Sequence, residues 1–109
     1  MGMNSVLSYF GISKNADEML DALGYEWLAI GNTGCAYEKY LGHTGPYGEP
    51  EFKTIRFERL DDGNYIFICC KKTGKLGEEH LSQWITYDEF KACFKKLKEL
   101  RHRRLRRKG

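Results

Sequence analysis

The sequence has no apolar run that approaches the roughly 18 residues of a membrane-spanning helix, so it predicts no transmembrane segment. Residues 1–5 lack the charged and apolar regions of a secretion signal, and we therefore expect a cytoplasmic location. A fully disordered chain is excluded too, because 41% of the residues are hydrophobic and 14% are aromatic. The 109 residues are enough for one domain with its own core.

Cysteine is present, but not at the spacing of a metal site. The four cysteines form no Cys-x-x-Cys pair, and none has a histidine at the distance typical of zinc ligands. Cys69 and Cys70 are adjacent in a predicted strand, so their side chains point to opposite faces and cannot bind one ion together. We expect reduced thiols, no metal and no cofactor.

Catalytic motifs are missing as well. The sequence contains no phosphate-binding P-loop, no dinucleotide-binding glycine pattern and no Gly-x-Ser-x-Gly nucleophile elbow. His43 and His80 lie in predicted loops that contain glycine, where a general base could meet a substrate, and Cys35 or Glu79 could in principle partner one of them. No motif supports such a pairing, so the sequence favours a protein that is not an enzyme.

Hydrophobic periodicity and turn residues predict an α+β fold with the element order αββββα. Asn15 and Glu18 have the spacing of a capping box and begin a helix of about nine residues, which Gly24 ends. Four strands are predicted at residues 25–30, 35–41, 52–60 and 65–70. We expect them to form two hairpins and one four-stranded antiparallel sheet, with loops at residues 41–50 and 73–82.

The last helix has the clearest start. Thr86 is its predicted N-cap, and Glu89 completes a second capping box. Apolar residues then recur at helical spacing on one face, which we expect to pack across the sheet: Phe90, Cys93, Phe94, Leu97 and Leu100. This face ends at Leu100, so the sequence predicts a single domain over residues 1–100 and a basic helical extension or tail over residues 101–109.

Charge is divided unevenly along the chain. Residues 91–109 hold ten of the eighteen lysines and arginines against one acid, Glu99, which gives this segment a charge of +9. Residues 1–90 hold eight basic and fourteen acidic side chains, a charge of −6. About four cations would satisfy a helix dipole and solubility, whereas residues 101–108 alone carry six. Clustered cations attract polyanions, so this segment is the strongest indication of a partner.

Two segments carry a resemblance that bears on function. Leu23-Gly24-Tyr25 before the first strand, and residues 85–100 of the last helix, resemble the start and the end of many small accessory proteins of bacteriophages and mobile genetic elements. Such proteins usually bind and modulate a host or phage factor, and some inhibit CRISPR or other defence nucleases. The resemblance implies a binding or inhibitory role with a protein or nucleoprotein partner, and we expect no membrane partner.

A second resemblance lies in residues 45–57, which are similar to the Gly-Pro, Phe and alternating-strand signature of double-stranded-RNA-binding domains. The histidine of that family near Gly48 is missing, and so is the Lys-Lys-x-x-Lys of its last helix, where this chain has Tyr87-Asp88-Glu89. Those lysines bind phosphate in the family, and an acidic helix start repels it. A double-stranded-RNA-binding-like domain stays an alternative.

The sequence therefore predicts a small binding or inhibitor protein that engages nucleic acid or a nucleoprotein through its basic C-terminal helix. The candidate binding residues are Tyr47 of the long glycine-rich loop and the cations of the tail: Arg101, Arg103, Arg104, Arg106, Arg107 and Lys108. In a second interpretation the acidic body or an aromatic sheet face binds a protein, and the tail is incidental. In a third, a small enzyme uses His43 or His80.

Overall fold

The computed structural model describes residues 15–28, 34–75, 77–82 and 84–108, with the backbone only for residues 103–108. Within them the chain forms helix α1 (Ala16–Ala22), helix α2 (Tyr87–Lys108) and these strands: β1 (Tyr25–Leu28), β2 (Gly34–Gly42), β3 (Glu51–Arg59), β4 (Tyr65–Thr73) and β5 (Glu79–Leu81). The predicted α+β class is confirmed. No helix in the described part is long and apolar enough to cross a membrane.

The strands form one antiparallel sheet in which each pairs with its neighbour in sequence, in the order β1-β2-β3-β4-β5. The sheet has five strands rather than the four predicted, because β5 lies inside the predicted loop of residues 73–82. It pairs with only three residues of β4, from Cys70 to Lys72. Its sequence, Glu-His-Leu, is too short and too polar to give an alternating pattern.

Local capping signals place both helices where the sequence predicts them. The Asn15 side chain accepts a hydrogen bond from the Glu18 amide, and the Glu18 carboxylate accepts one from the Asn15 amide. Gly24 follows α1 with a φ of +94°, a left-handed conformation that suits glycine at a helix end. At the start of α2, Thr86 and Glu89 exchange the same pair of hydrogen bonds.

The core lies between the two helices and one face of the sheet. Its buried members are Leu20, Tyr25, Tyr37, Ile55, Phe57, Ala92, Cys93 and Leu100. The rings of Tyr37 and Phe57 meet edge to face with centroids 5.8 Å apart, and Phe57 lies 6.1 Å from Phe67. These contacts join β2, β3 and β4, so the centre of the sheet forms the floor of the core.

Helix α2 is rotated relative to the predicted orientation. Its buried residues are Glu89, Ala92, Cys93, Lys96 and Leu100, with Leu97 partly buried. Phe90 and Phe94, which were predicted to face the sheet, are 47% and 51% exposed. The small Ala92 side chain lies against the core instead, and Glu89 is held inward by an ion pair with Lys53 of β3.

The face of the sheet away from α2 is crossed by two ion pairs. Lys72 of β4 donates to Glu38 of β2 at 2.6 Å, above the β3 strand between them. Arg56 of β3 donates to Glu79 of β5 at 2.6 Å, across β4. Lys72 and Arg56 are therefore neutralised locally, and the outer surface of the sheet offers no excess of positive charge at these two positions.

Candidate functional site

The predicted basic tail is helical. The backbone of α2 continues through residues 101–108 to Lys108, about 12 Å beyond the buried Leu100 at ~1.5 Å per residue. Arg101 and His102 are exposed. The other predicted binding cations lie on this helical backbone, and their side chains lie outside the described part of the chain: Arg103, Arg104, Arg106, Arg107 and Lys108.

Tyr47, the remaining predicted binding residue, is 92% exposed but lies far from the tail. It belongs to the β2–β3 loop, where the Pro50 carbonyl accepts a hydrogen bond from the Gly74 amide of the β4–β5 connection. Arg101 lies instead beside Asn64 of the β3–β4 turn. The length of β3, ~30 Å for nine residues, separates these two ends of the sheet. The structure therefore does not bring Tyr47 and Arg101 together.

Ahead of the tail, one exposed side of α2 carries alternating aromatic and cationic residues. We name it the aromatic–cationic face, and its members recur at spacings of one to four residues: Tyr87, Phe90, Lys91, Phe94, Lys98 and Arg101. Lys91 Nζ lies 4.9 Å from the centre of the Tyr87 ring, and Lys98 Nζ lies 5.2 Å from that of Phe94. The rings of Phe90 and Phe94 stack, with centroids 6.1 Å apart. Sequence reasoning assigned both phenylalanines to the core and missed this surface.

A cavity of about 310 Å³ opens between the aromatic–cationic face and the β3–β4 turn. Its walls combine the rings of Phe94 and Tyr65 with the two cations Lys98 and Arg101 and the amide group of Asn64. Flat apolar walls next to positive charge suit an anionic ligand that carries a planar ring. The cavity joins the exposed rings of α2 to the first residue of the predicted tail.

The N-terminal end of α2 is fixed to the sheet by a buried ion pair. Lys53 is 2% exposed, and its Nζ donates to Glu89 Oε1 at 2.7 Å. The Tyr25 hydroxyl donates to Glu89 Oε2 at 2.8 Å, and the Thr86 amide donates to Oε1 at 3.0 Å. The ring of Trp84 covers the ammonium group, with Nζ 3.6 Å from the ring centre. The Lys53 ammonium, the Glu89 carboxylate and the Tyr25 hydroxyl are therefore hydrogen-bonded to one another and shielded from solvent.

Protonation in this cluster follows from its contacts. Burial alone would raise the pKa of Glu89, but hydrogen bonds from Lys53, the Thr86 amide and Tyr25 hold it below its usual value. Burial and the hydrogen bond to Glu89 raise the pKa of Tyr25. The cluster orients α2 rather than presenting a reactive group. Sequence reasoning found Glu89 as a capping residue and missed Lys53, whose only signal is that it lies in phase with the buried Ile55 on β3.

Lys96 is a second cation that is not available to a ligand. Its Nζ donates to Asp17 Oδ1 at 3.0 Å, and the Tyr37 hydroxyl donates to the same oxygen. Nearby, Glu99 accepts a hydrogen bond from the Ala16 amide at 2.9 Å. These bonds attach α1 to α2, so one of the ten cations in residues 91–109 has a structural role.

The four cysteines are free thiols. Cys69 faces the core while Cys70 lies on the other side of β4, as their adjacent positions predict. Burial raises the pKa of Cys69, Cys70 and Cys93, the last to about 12. Such thiols stay protonated at neutral pH and are weak nucleophiles. Among the described residues no group of three or more His, Cys, Asp or Glu side chains could hold a metal ion.

Neither histidine is hydrogen-bonded to the suggested partners within the described ranges. His43 Nδ1 lies 2.9 Å from the Gly48 carbonyl oxygen in its own loop. His80 is exposed on β5, and the neighbouring Glu79 points to the opposite face, where it binds Arg56. The thiol of Cys35 contacts the Tyr37 hydroxyl.

Beside the edge strand β1 lies an acidic cleft of about 370 Å³. Its lining residues are Asp17, Asp21, Tyr25, Glu26, Trp27 and Tyr37. Burial and the hydrogen bond to Asp17 raise the pKa of Tyr37, so its hydroxyl stays protonated. The exposed ring of Trp27 adds an apolar surface next to the carboxylates. The acidic cleft and the aromatic–cationic face therefore carry charges of opposite sign.

Comparisons with protein-family models, with curated proteins and with solved structures found no match. The resemblance to accessory proteins of phages and mobile elements stays a prediction from the sequence.

Proposed function

We propose that the protein is a non-enzymatic binding protein whose helix α2 engages nucleic acid or a nucleoprotein, in the way expected of a phage or mobile-element inhibitor. The observation that carries this proposal is the charge of +9 in residues 91–109 against −6 in residues 1–90. These cations lie on one helix, whose backbone extends eight residues past the buried Leu100. A polyanion is attracted to such a helix and repelled by the acidic body.

The binding free energy of such a complex comes largely from the release of counterions from phosphate. If about four cations of α2 contact phosphates, the slope of log affinity against log salt on duplex DNA is roughly −3.6, from about −0.9 per contact. Deleting residues 101–109 should remove most of this slope and most of the affinity, as measured by fluorescence anisotropy over a salt series. The melting temperature should hardly change, because the apolar face in the sequence of the helix ends at Leu100.

Two matched double variants test whether affinity depends on where the cations lie or only on the net charge of the protein. Lys98→Gln/Arg101→Gln removes two cations from α2, and Lys71→Gln/Lys75→Gln removes two exposed cations outside α2, one from β4 and one from the β4–β5 connection. We expect the first to weaken nucleic-acid binding at least tenfold and the second to change it little. Equal losses from both variants would mean that net charge alone decides affinity, and the helix would lose its assigned role.

The acidic cleft favours a second candidate function, in which the body binds a basic segment of a partner protein. Trp27 and the carboxylates around it supply the aromatic and anionic contacts that such a segment needs. In this case deleting residues 101–109 leaves partner binding intact at every salt concentration, and Trp27→Ser removes it. An affinity pull-down from a nuclease-treated bacterial lysate, repeated with both variants, distinguishes the two candidates.

The double-stranded-RNA alternative has less support. The family binds phosphate with lysines at the start of its last helix, whereas Glu89 of this chain is buried there against Lys53. Asp88 adds a second carboxylate to the same turn.

A further inference from the structure

The aromatic–cationic face carries three exposed rings, and the phosphate contacts of the proposed function do not account for them. Tyr87 is 74% exposed, and Phe90 and Phe94 are each about half exposed. A contiguous set of exposed rings on a folded domain marks a binding surface. Cations lie next to these rings, with Lys91 Nζ over the Tyr87 ring and Lys98 Nζ over the Phe94 ring. The ligand that fits this pattern carries both flat apolar faces and anionic groups.

The two phenylalanine rings form a supported platform. Their planes are only 14° apart, so the two rings lie nearly parallel, and each keeps about half of its surface exposed. Phe90 rests edge-on against Phe67 of β4 at 6.4 Å, and Phe67 packs against the buried Phe57. The platform is thus continuous with the core. A ring that is already held in place loses little conformational entropy when a ligand stacks on it.

The cavity next to Phe94 extends this platform. The cavity has a volume of about 310 Å³, and it is lined by a second ring, Tyr65, as well as by Phe94, Lys98 and Arg101. Planar nucleobases stack on aromatic side chains, while the phosphates that link them bind cations. In a duplex the base faces are already stacked on one another, so only a single strand can offer them to Phe90 and Phe94.

We propose that α2 binds single-stranded nucleic acid, with bases stacked on Phe90 and Phe94 and in the adjoining cavity. The phosphates then contact Lys98, Arg101 and the helical extension. This inference rests on the proposed function, because it specifies which nucleic acid the basic helix engages. The occupant is a single strand rather than a duplex or a second copy of the chain.

The test measures the affinity of the full-length chain for three fluorescent ligands by anisotropy. The ligands carry similar charge: a fifteen-nucleotide oligothymidylate, an abasic strand of the same length, and a duplex. The proposal predicts that the oligothymidylate binds about tenfold or more tightly than the abasic strand, since stacking contributes ~1–3 kcal/mol per base. An oligouridylate arm shows whether RNA and DNA strands are bound alike. Equal affinity for oligothymidylate and abasic strand would overturn the proposal but leave the proposed function standing.

Ring variants locate the platform. Phe94→Leu keeps an apolar side chain but removes the stacking surface, so it should weaken oligothymidylate binding about tenfold and leave abasic binding unchanged. Tyr40→Leu, which removes a ring that is 54% exposed on β2, is the matched control and should change neither. If Phe94→Leu changes the sedimentation coefficient and not the affinity, the face pairs with a second copy and the proposal is wrong. Absence of binding to all ligands at low salt would overturn the proposed function as well.

Discussion

Replacing Lys53 with methionine tests the buried cluster that orients α2. The variant keeps the aliphatic volume but leaves the Glu89 carboxylate, whose side chain is 4% exposed, without its cation. Two donors remain, the Tyr25 hydroxyl and the Thr86 amide. Removing one partner of a buried ion pair costs about 3–5 kcal/mol, because the other charge stays buried and unpaired. That is a large share of the ~5–15 kcal/mol that stabilises a typical domain.

The double variant Lys53→Met/Glu89→Gln separates this cost from simple loss of contacts. The glutamine carbonyl oxygen can accept from the Thr86 amide in the place of Oε1, and its NH2 group can donate to the Tyr25 hydroxyl oxygen in the place of Oε2, so no charge is left in the core. We expect the double variant to lose about 1–2 kcal/mol, less than Lys53→Met alone. Urea unfolding of the four proteins in this cycle measures the coupling directly.

The pH dependence gives a second readout of the same cluster. In the wild type the pKa of Glu89 is lowered, so its stabilisation is present above the unfolded value and lost as the pH falls through the folded value. In Lys53→Met, burial without a cation should raise the pKa of Glu89. The deficit in the free energy of unfolding relative to the wild type should therefore be full at about pH 7 and shrink toward pH ~4 as the carboxyl is protonated. A deficit below about 1 kcal/mol, or one that does not change with pH, would refute the reasoning.

Two further predictions concern stability. Phe57→Ala should cost about 3–5 kcal/mol because its ring is fully buried, whereas Phe94→Ala should cost about 1 kcal/mol because its ring is half exposed; denaturant unfolding compares them. At high pH two buried groups, Cys93 with a pKa of about 12 and Tyr25, ionise only after unfolding. The free energy of unfolding under reducing conditions should therefore fall above pH ~9, by up to about 1.4 kcal/mol per pH unit for each of the two groups. Cys93→Ala should remove part of this slope.

Local signals were sufficient for most of the fold. Capping boxes begin at Asn15 and Thr86, and the alternation of residues in β3 gives its buried face, because these patterns depend on neighbours in sequence. The short strand β5 was missed, since its formation depends on pairing with β4 rather than on its own three residues. The polar end of β4 was missed for the same reason: Lys71 and Lys72 lay beyond the predicted strand, and Thr73 was assigned to a loop.

The candidate site was predicted only in part. Charge counting found the tail, because clustered cations are visible in sequence order. Phe90 and Phe94 were assigned to the core, since aromatic residues at helical spacing usually face a sheet. In the structure the ion pair with the buried Lys53 holds Glu89 in the core, and this orientation of α2 turns the rings of Phe90 and Phe94 toward solvent. That contact joins residues 36 positions apart, and no local pattern reveals it.

The most direct test of nucleic-acid binding through α2 is a chemical-shift map. We suggest titrating ¹⁵N-labelled full-length protein with oligothymidylate at low salt and following the backbone amide signals. Binding at the aromatic–cationic face and its cavity predicts the largest changes at Phe94, Lys98, Arg101 and Asn64. Changes confined to the surroundings of Trp27, or no change at saturating ligand, would contradict it.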